Sequence, residues 1–223
     1  LVCGNYRDIK KFAEENNFKK VSGILFDLGF SSYHIEKSGR GFSFKRDERL
    51  DMRYNPEENE TTAEKIINTW PREAIEDILR KYGEERLAGR IARAIVDSRA
   101  SHPIRTTGEL ARLIVECCGG QRGKLRLHPA TRTFQALRIA VNQELNNLES
   151  ALADSPSLLE SGGKIVVISF HSLEDRIVKN FFKTQATAGE MKIITPKPLR
   201  AGREEIRGNP RARSAKLRAA LKL

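Results

Sequence analysis

Two short, predominantly apolar runs, 21–28 (VSGILFDL) and 165–170 (IVVISF), constrain this 223-residue chain more than any other feature. Both are rich in β-branched and aromatic residues, and neither alternates with polar ones. That pattern predicts strands buried on both faces, as in a parallel sheet with helices on each side. Gly29 follows the first run and the Gly162–Gly163 pair precedes the second. Helical spacing fills the chain between and around them. A short helix is expected over 8–17. Pro71 opens a segment carrying Ile75, Ile78 and Leu79 that Gly83 interrupts. Leu87, Ile91, Ala94 and Ile95 mark a helix within 84–100. Thr106 with Glu109 predicts a capping box, for a helix that Gly119 would end. Pro129 starts the longest pattern, with Phe134, Leu137, Val141, Leu145, Leu148 and Leu152 three and four apart, a core-facing stripe. Ser172 with Asp175 reads as a second capping box, opening a helix through Leu173, Ile177, Phe181 and Phe182. Weaker strands are expected near 191–195 and 214–221.

The fold class expected is therefore α/β, a sheet domain interrupted by an all-helical insertion. The boundaries read as 1–56 and 126–223 for the sheet domain and 57–125 for the helices. Two confident strands and two weak ones are few for a doubly wound sheet, and no glycine-rich phosphate or cofactor loop precedes them. The first residue is Leu1 rather than methionine, which leaves room for a start upstream. No apolar run is long enough for a bilayer and no secretory leader is visible. Cys3, Cys117 and Cys118 form no C-x-x-C pair. They read as reduced thiols of a cytoplasmic protein, with no metal site.

The net charge of +11 is unevenly distributed. Residues 192–223 hold ten Lys/Arg against two Glu, and so supply +8 of it. An acid-free stretch adds Arg122, Lys124, Arg126, Arg132 and Arg138. Clustered positive charge suits a polyanion, most often nucleic acid, although a solubilising tail would look the same. A membrane-surface role is disfavoured, since the tail has no strong apolar face beside it.

In open parallel sheets, ligands bind beyond the carboxyl ends of the strands. The first strand ends in Asp27-Leu28-Gly29-Phe30-Ser31-Ser32-Tyr33-His34, the second in Ser169-Phe170-His171-Ser172-Leu173-Glu174-Asp175-Arg176. A carboxylate closing a buried strand needs a partner, so Asp27 calls for a backbone cap or a ligand. Ser172, Glu174, Asp175 and Arg176 are explained by capping and the helix dipole. His171 is left over, and with Ser172 beside it and no G-x-S-x-G elbow, a hydrolytic triad is disfavoured. Arg40-Gly41-Phe42-Ser43-Phe44 could stack bases or could anchor a loop in the core. Asp51 and Arg53 read as an ion pair.

These stretches carry a family resemblance. SGILFDLG (22–29), RGFSF (40–44), LDMR (50–53), YGEER (82–86), RIARAIV (90–96), HPATRTFQALRIAVN (128–142), ISFHSLEDRIVK (168–179) and NPRARSAKLR (209–218) resemble the RsmH (MraW) family of bacterial 16S ribosomal-RNA cytosine-N4 methyltransferases. The matches run from about Gly4 to Arg218, in the family's order. The resemblance implies a Rossmann-like class I methyltransferase domain that uses S-adenosyl-L-methionine and carries an inserted helical domain. The family's Gly-Gly-His-Ser cofactor loop and ribose-binding acid would lie upstream of Leu1. It implies cofactor contacts at Tyr6, Asp27 and His34. His34 stands where the family usually has Gln, and Tyr33 stands where it has Pro.

Asp27 is the residue expected nearest the reacting amine, with Ser31 or Ser32 in support. Arg40, Arg132, Arg138, His171, Arg176, Arg211 and Arg213 are the candidates for the RNA side, His171 and Arg176 being equally explicable as structural. The implied partner is 16S ribosomal RNA in the small ribosomal subunit, with no membrane and no metal, and with a homodimer open as an assembly. Two rival functions stand beside this one. One is a catalytically silent RNA-binding or ribosome-assembly protein that keeps the fold, and the other is a methyltransferase acting on DNA or protein.

Overall fold

The structure, a computed structural model, describes residues 1–119 and 128–223. Arg122, Lys124, Arg126 and the expected 125/126 boundary lie outside the described residues. In chain order the elements are α1 (Ile9–Glu15), β1 (Val21–Asp27), α2 (Ser32–Glu36), α3 (Ala63–Thr69), α4 (Arg72–Gly83), α5 (Ala88–Arg99) and α6 (Thr107–Cys117). They continue with α7 (Ala130–Asn142), α8 (Glu144–Leu158), β2 (Leu159–Ser169), α9 (Ser172–Thr187), β3 (Met191–Ile193), α10 (Arg203–Gly208) and β4 (Lys216–Lys222). The fold is mixed α/β. It divides into two compact units, Leu1–Gly29 with Glu144–Leu223, and Phe30–Gln143.

The first unit holds a four-stranded sheet in the order β1-β2-β4-β3. β1 runs parallel to β2, with Ile24 opposite Ile165 and Asp27 opposite Ile168. β4 is antiparallel to both its neighbours, so the sheet is mixed. One face is buried. Phe26 and Leu28 at the end of the first strand, Ile165 and Val167 of β2 and Ala220 of β4 pack with Leu148 and Leu152 of α8 and Val178 and Phe182 of α9. Removing so large a buried ring as Phe182 would cost about 3–5 kcal/mol. On the opposite face Leu25 is 64% exposed. The expectation of burial on both faces is corrected here: among the described residues one face is covered. Both runs look continuous in sequence because Leu25, Val166 and Ile168 are apolar as well. The pleat nevertheless sends them away from Phe26 and Val167.

The second unit is helical. Leu50, Met52, Ile66, Ile75, Leu79, Ile91, Ile95, Leu110, Ile114 and Leu137 are fully buried in one core. α4 and α7 pack closely at Gly83, where a Cβ would lie 2.8 Å from the Arg132 carbonyl oxygen and 3.3 Å from the Ala136 methyl. α6 starts on the expected capping box: Glu109 N–H donates to Thr106 Oγ1 at 3.3 Å, and the Glu109 carboxylate accepts from Thr106 N–H at 3.0 Å. Asp47 adds a further acceptor for Gly108 N–H at 2.8 Å.

The long stripe from Phe134 to Leu152 is divided rather than continuous. Gln143 adopts a left-handed conformation (φ 50°) and separates α7 from α8. Phe134, Leu137 and Val141 therefore enter the helical core, while Leu148 and Leu152 enter the core under the sheet. The helical unit is accordingly wider than 57–125, beginning at Phe30 and ending at Gln143. Among the described residues, no helix is long and apolar enough to cross a membrane.

Candidate active site at the strand ends

β1 and β2 leave the sheet side by side. Leu28 N–H donates to the Ile168 carbonyl at 3.0 Å, extending the parallel pairing one residue past Asp27. Gly29 then turns away with φ +95°, a conformation that costs glycine little. Its ideal Cβ position faces the Phe170 ring at 3.6 Å, so the two exits stay in contact. Asp27 is exposed at the end of the edge strand. The inference that its carboxylate is buried and needs a partner is corrected, because the outward face of β1 is open. It stands instead as an accessible acceptor at the carboxyl end of a parallel strand.

Tyr6 lies in the same unit. Its ring meets Phe26 edge-on at 6.1 Å, and its hydroxyl donates to the Glu144 carbonyl at 3.2 Å. Although 37% of the residue is exposed, the hydroxyl end is enclosed. Burial, reinforced by the Glu144 and Glu174 carboxylates, pushes the phenol well above its ordinary value, so it remains protonated.

The second exit is organised by a different capping box from the expected one. His171, not Ser172, is the N-cap of α9: its Nδ1 accepts from Glu174 N–H at 3.4 Å. The Glu174 carboxylate returns the contact, accepting from Phe170 N–H at 2.8 Å and His171 N–H at 3.3 Å. His171 Nε2 is buried 3.3 Å from Glu174 Oε1, outside hydrogen-bonding geometry. Glu144, His171 and Glu174 bring one possible ligand atom each within 4.8 Å of one another. The capping bonds already occupy Glu174 Oε2 and His171 Nδ1. Asp175 holds β4 in place, accepting from Arg218 Nε at 2.7 Å and Lys216 Nζ at 3.2 Å. Burial opposes its charge, but these hydrogen bonds prevail and keep the carboxyl below its usual range. Arg176 is exposed on the same first turn.

Ser31, Ser32 and His34 fall in the helical unit with Phe30. Ser31 N–H donates to His34 Nδ1 at 3.2 Å, and Ser31 Oγ lies 3.0 Å from the same nitrogen. The imidazole packs edge-on against Phe42 at 5.1 Å and Tyr54 at 5.2 Å, and those two rings stack on each other at 5.6 Å. Burial, helped by the positive Arg40, lowers the His34 pKa from its ordinary value. Phe42 is buried and Phe44 stacks on His128 at 4.5 Å, which makes RGFSF an anchored loop rather than a base-stacking one. Arg40 uses Nη1 to bind the Arg53 and Tyr54 carbonyls, both at 2.9 Å. The Asp51–Arg53 ion pair is present at 2.8 Å.

Arg138 lies over the Phe30 ring with its guanidinium carbon 4.4 Å from the centroid. Arg132 is exposed, with Nη1 3.3 Å from the Glu84 carbonyl. Arg211 and Arg213 are exposed in the 3-10 turn Pro210–Ser214. Sequence reasoning gave Glu174 a helix-dipole role but not its bonds to the Phe170 and His171 amides, and it missed the Ser31–His34 contact. An acceptor three residues after a helix start was the available signal for both.

A hollow of about 380 Å³ lined by Lys10, Phe18 and Leu158, among others, lies beside the entries of β1 and β2, at the far end of those strands from Asp27. It takes no part in this arrangement.

Comparison with known proteins gives this geometry a context. A protein from Thermomicrobium roseum named ribosomal RNA small subunit methyltransferase H is 48% identical, over 99% of this chain and 72% of the relative. Proteins of the same name from Persephonella marina and Methylococcus capsulatus are 45% and 49% identical, over 75% and 76% of their lengths. The model of the MraW methylase family matches residues 1–223, so the chain belongs to that family.

Proposed function

We propose that the protein transfers a methyl group from S-adenosyl-L-methionine to the exocyclic N4 amine of a cytosine in 16S ribosomal RNA of the small subunit. The observation that carries this reading is the exposed Asp27 carboxylate at the exit of β1, beside the exit of β2, in a chain of the MraW methylase family. The reading takes the sheet unit as the sheet portion of a Rossmann-like class I methyltransferase domain, and the helical unit as its insertion. The division would fall at the limits of the compact units instead of at 56/57 and 125/126.

The residues that would hold the methyl donor are Tyr6, Asp27 and His34. They fit its polar groups: an open carboxylate to accept from hydroxyl or ammonium, a half-exposed aromatic ring, and a neutral imidazole. When bound, the donor supplies an electrophilic methyl on a sulfonium. A cytosine amine is a weak nucleophile because its lone pair is delocalised into the ring. Asp27, with Ser31 or Ser32, would accept hydrogen bonds from the amine and so localise that pair toward the methyl. Asp27 is also the acceptor for the proton the amine sheds. Orientation and exclusion of water would supply much of the remaining rate.

The cytosine must be unstacked or single-stranded to reach such a group. Arg132, Arg138, Arg176, Arg211 and Arg213 would meet RNA phosphates. Arg40 and His171 are the remaining candidates for the RNA side, each held within its own unit, Arg40 by the Arg53 and Tyr54 carbonyls and His171 by Glu174 N–H. A cytoplasmic setting follows from the substrate.

Full-length protein incubated with methyl-labelled donor and unmodified small ribosomal subunits should place label on N4 of one cytosine, mapped by nuclease digestion and mass spectrometry. Asp27→Ala should abolish it while leaving the melting temperature within a few degrees, because the side chain is exposed. Label on DNA or protein instead, or full activity in Asp27→Ala, would sink the reading. Absence of donor binding would favour a silent RNA-binding protein.

A further inference from the structure

The chain that follows Asp27 is held by a group that titrates. Ser31 N–H donates to His34 Nδ1, and His34 N–H donates back to the Ser31 carbonyl at 3.1 Å. A nitrogen that accepts from an amide carries no proton, so the proton of the neutral ring resides on Nε2. Once charged, Nδ1 could donate to Ser31 Oγ, but Ser31 N–H would lose its acceptor and face another N–H. We propose that His34 is a positioning residue whose neutral imidazole closes the turn carrying Ser31 and Ser32, and that acid opens this turn and misplaces them. The proposal deepens the methyltransferase reading and rests on it for its consequence in activity, though not for its structural content.

The surroundings favour the neutral form. Tyr33 on the same element and Phe42 and Tyr54 from the following segments enclose the ring, and Arg40 is the charged group acting on it. Burial and Arg40 both act against the charged ring. Gln at this position would offer the same acceptor at the third position of a capping box and would not titrate.

Nitrogen-15 NMR of the full-length protein between pH 7.5 and 5 tests the proposal. His34 should show the Nε2–H tautomer at neutral pH, and the hydrogen-exchange protection of the Ser31 amide should be lost as the ring charges, below pH 6.5. His34→Gln should keep Ser31 protected across the range. An Nδ1–H tautomer, a Ser31 amide indifferent to the titration, or a Ser31 amide in His34→Gln that loses protection as wild type does would each overturn the proposal. Should wild type transfer no methyl group at all, the functional reading fails, and the tautomer and amide data still decide this one.

Discussion

At the exit of β2, neighbouring polar side chains divide the work: His171 and Glu174 satisfy the backbone at the start of α9, and Asp175 reaches across to β4. Arg218 is the side chain most dependent on that arrangement, since only 8% of it is exposed. Asp175→Ala would leave the guanidinium buried without its carboxylate, a loss of about 3 kcal/mol, to be read from chemical denaturation at pH 7. Asp175→Asn adds a pH signature. The folded carboxyl lies below its unfolded value of about 3.9. Its contribution is therefore complete above that value and is lost as pH falls through the folded one, so wild type and variant should converge in stability below about pH 4. The run ISFHSLEDR gave Glu174 and Asp175 structural roles at a helix start and left His171 open between a chemical and a structural one. It placed the cap at Ser172 instead of His171, because both can accept from a backbone N–H three positions later.

Local rules were most informative where one element decides the outcome. The box of Thr106 and Glu109 and the Pro71 and Gly83 limits of α4 were legible because caps depend on neighbours in sequence. Thr106→Ala should cost about 1 kcal/mol, seen as a lowered denaturation midpoint with an unchanged slope. Gly83→Ala should cost more despite alanine's better helix propensity, because the added methyl would press on the Arg132 carbonyl. A result in which the propensity gain of about 1 kcal/mol prevails would show that α4 and α7 can separate. The break at Gln143 escaped sequence reasoning. Glutamine carries no signal for positive φ, and the apolar spacing runs through it without interruption. The alternation in β1 was hidden for a related reason, since Leu25 continues the apolar run on the open face.

For the molecule as a whole, charge is the property that sequence conveys without any knowledge of the fold. Lys197, Arg200, Arg203, Arg207, Arg211 and Arg213 are all exposed. Replacing Arg203, Arg207, Arg211 and Arg213 by Gln should weaken RNA binding alike for matched and unmatched sequences. It should also flatten the dependence of log K on log salt by about 0.7–0.9 for each phosphate contact removed. An unchanged slope would place the RNA elsewhere. Helix-only and strand-bearing stretches were separable in sequence, but the limits of the compact units were not. The stretch between α2 and α3 has no helix or strand of its own and belongs to the helical unit through contacts such as Leu50 N–H to the Arg105 carbonyl, 3.0 Å.

The parallel pairing of β1 with β2 also sets an order of events during synthesis. β1 leaves the ribosome first, and its partner follows only after the entire helical unit, Phe30–Gln143, and α8 have been made. At about 5–20 residues per second that is an interval on the order of ten seconds. The helical unit is one uninterrupted stretch and can collapse within that time. Throughout it, the edge of β1 that will pair with β2 through Ile24, Leu25 and Phe26 stays unpaired, a condition in which nascent chains can pair with one another. The strand whose last residue is Asp27 is thus the one that waits longest for its neighbour.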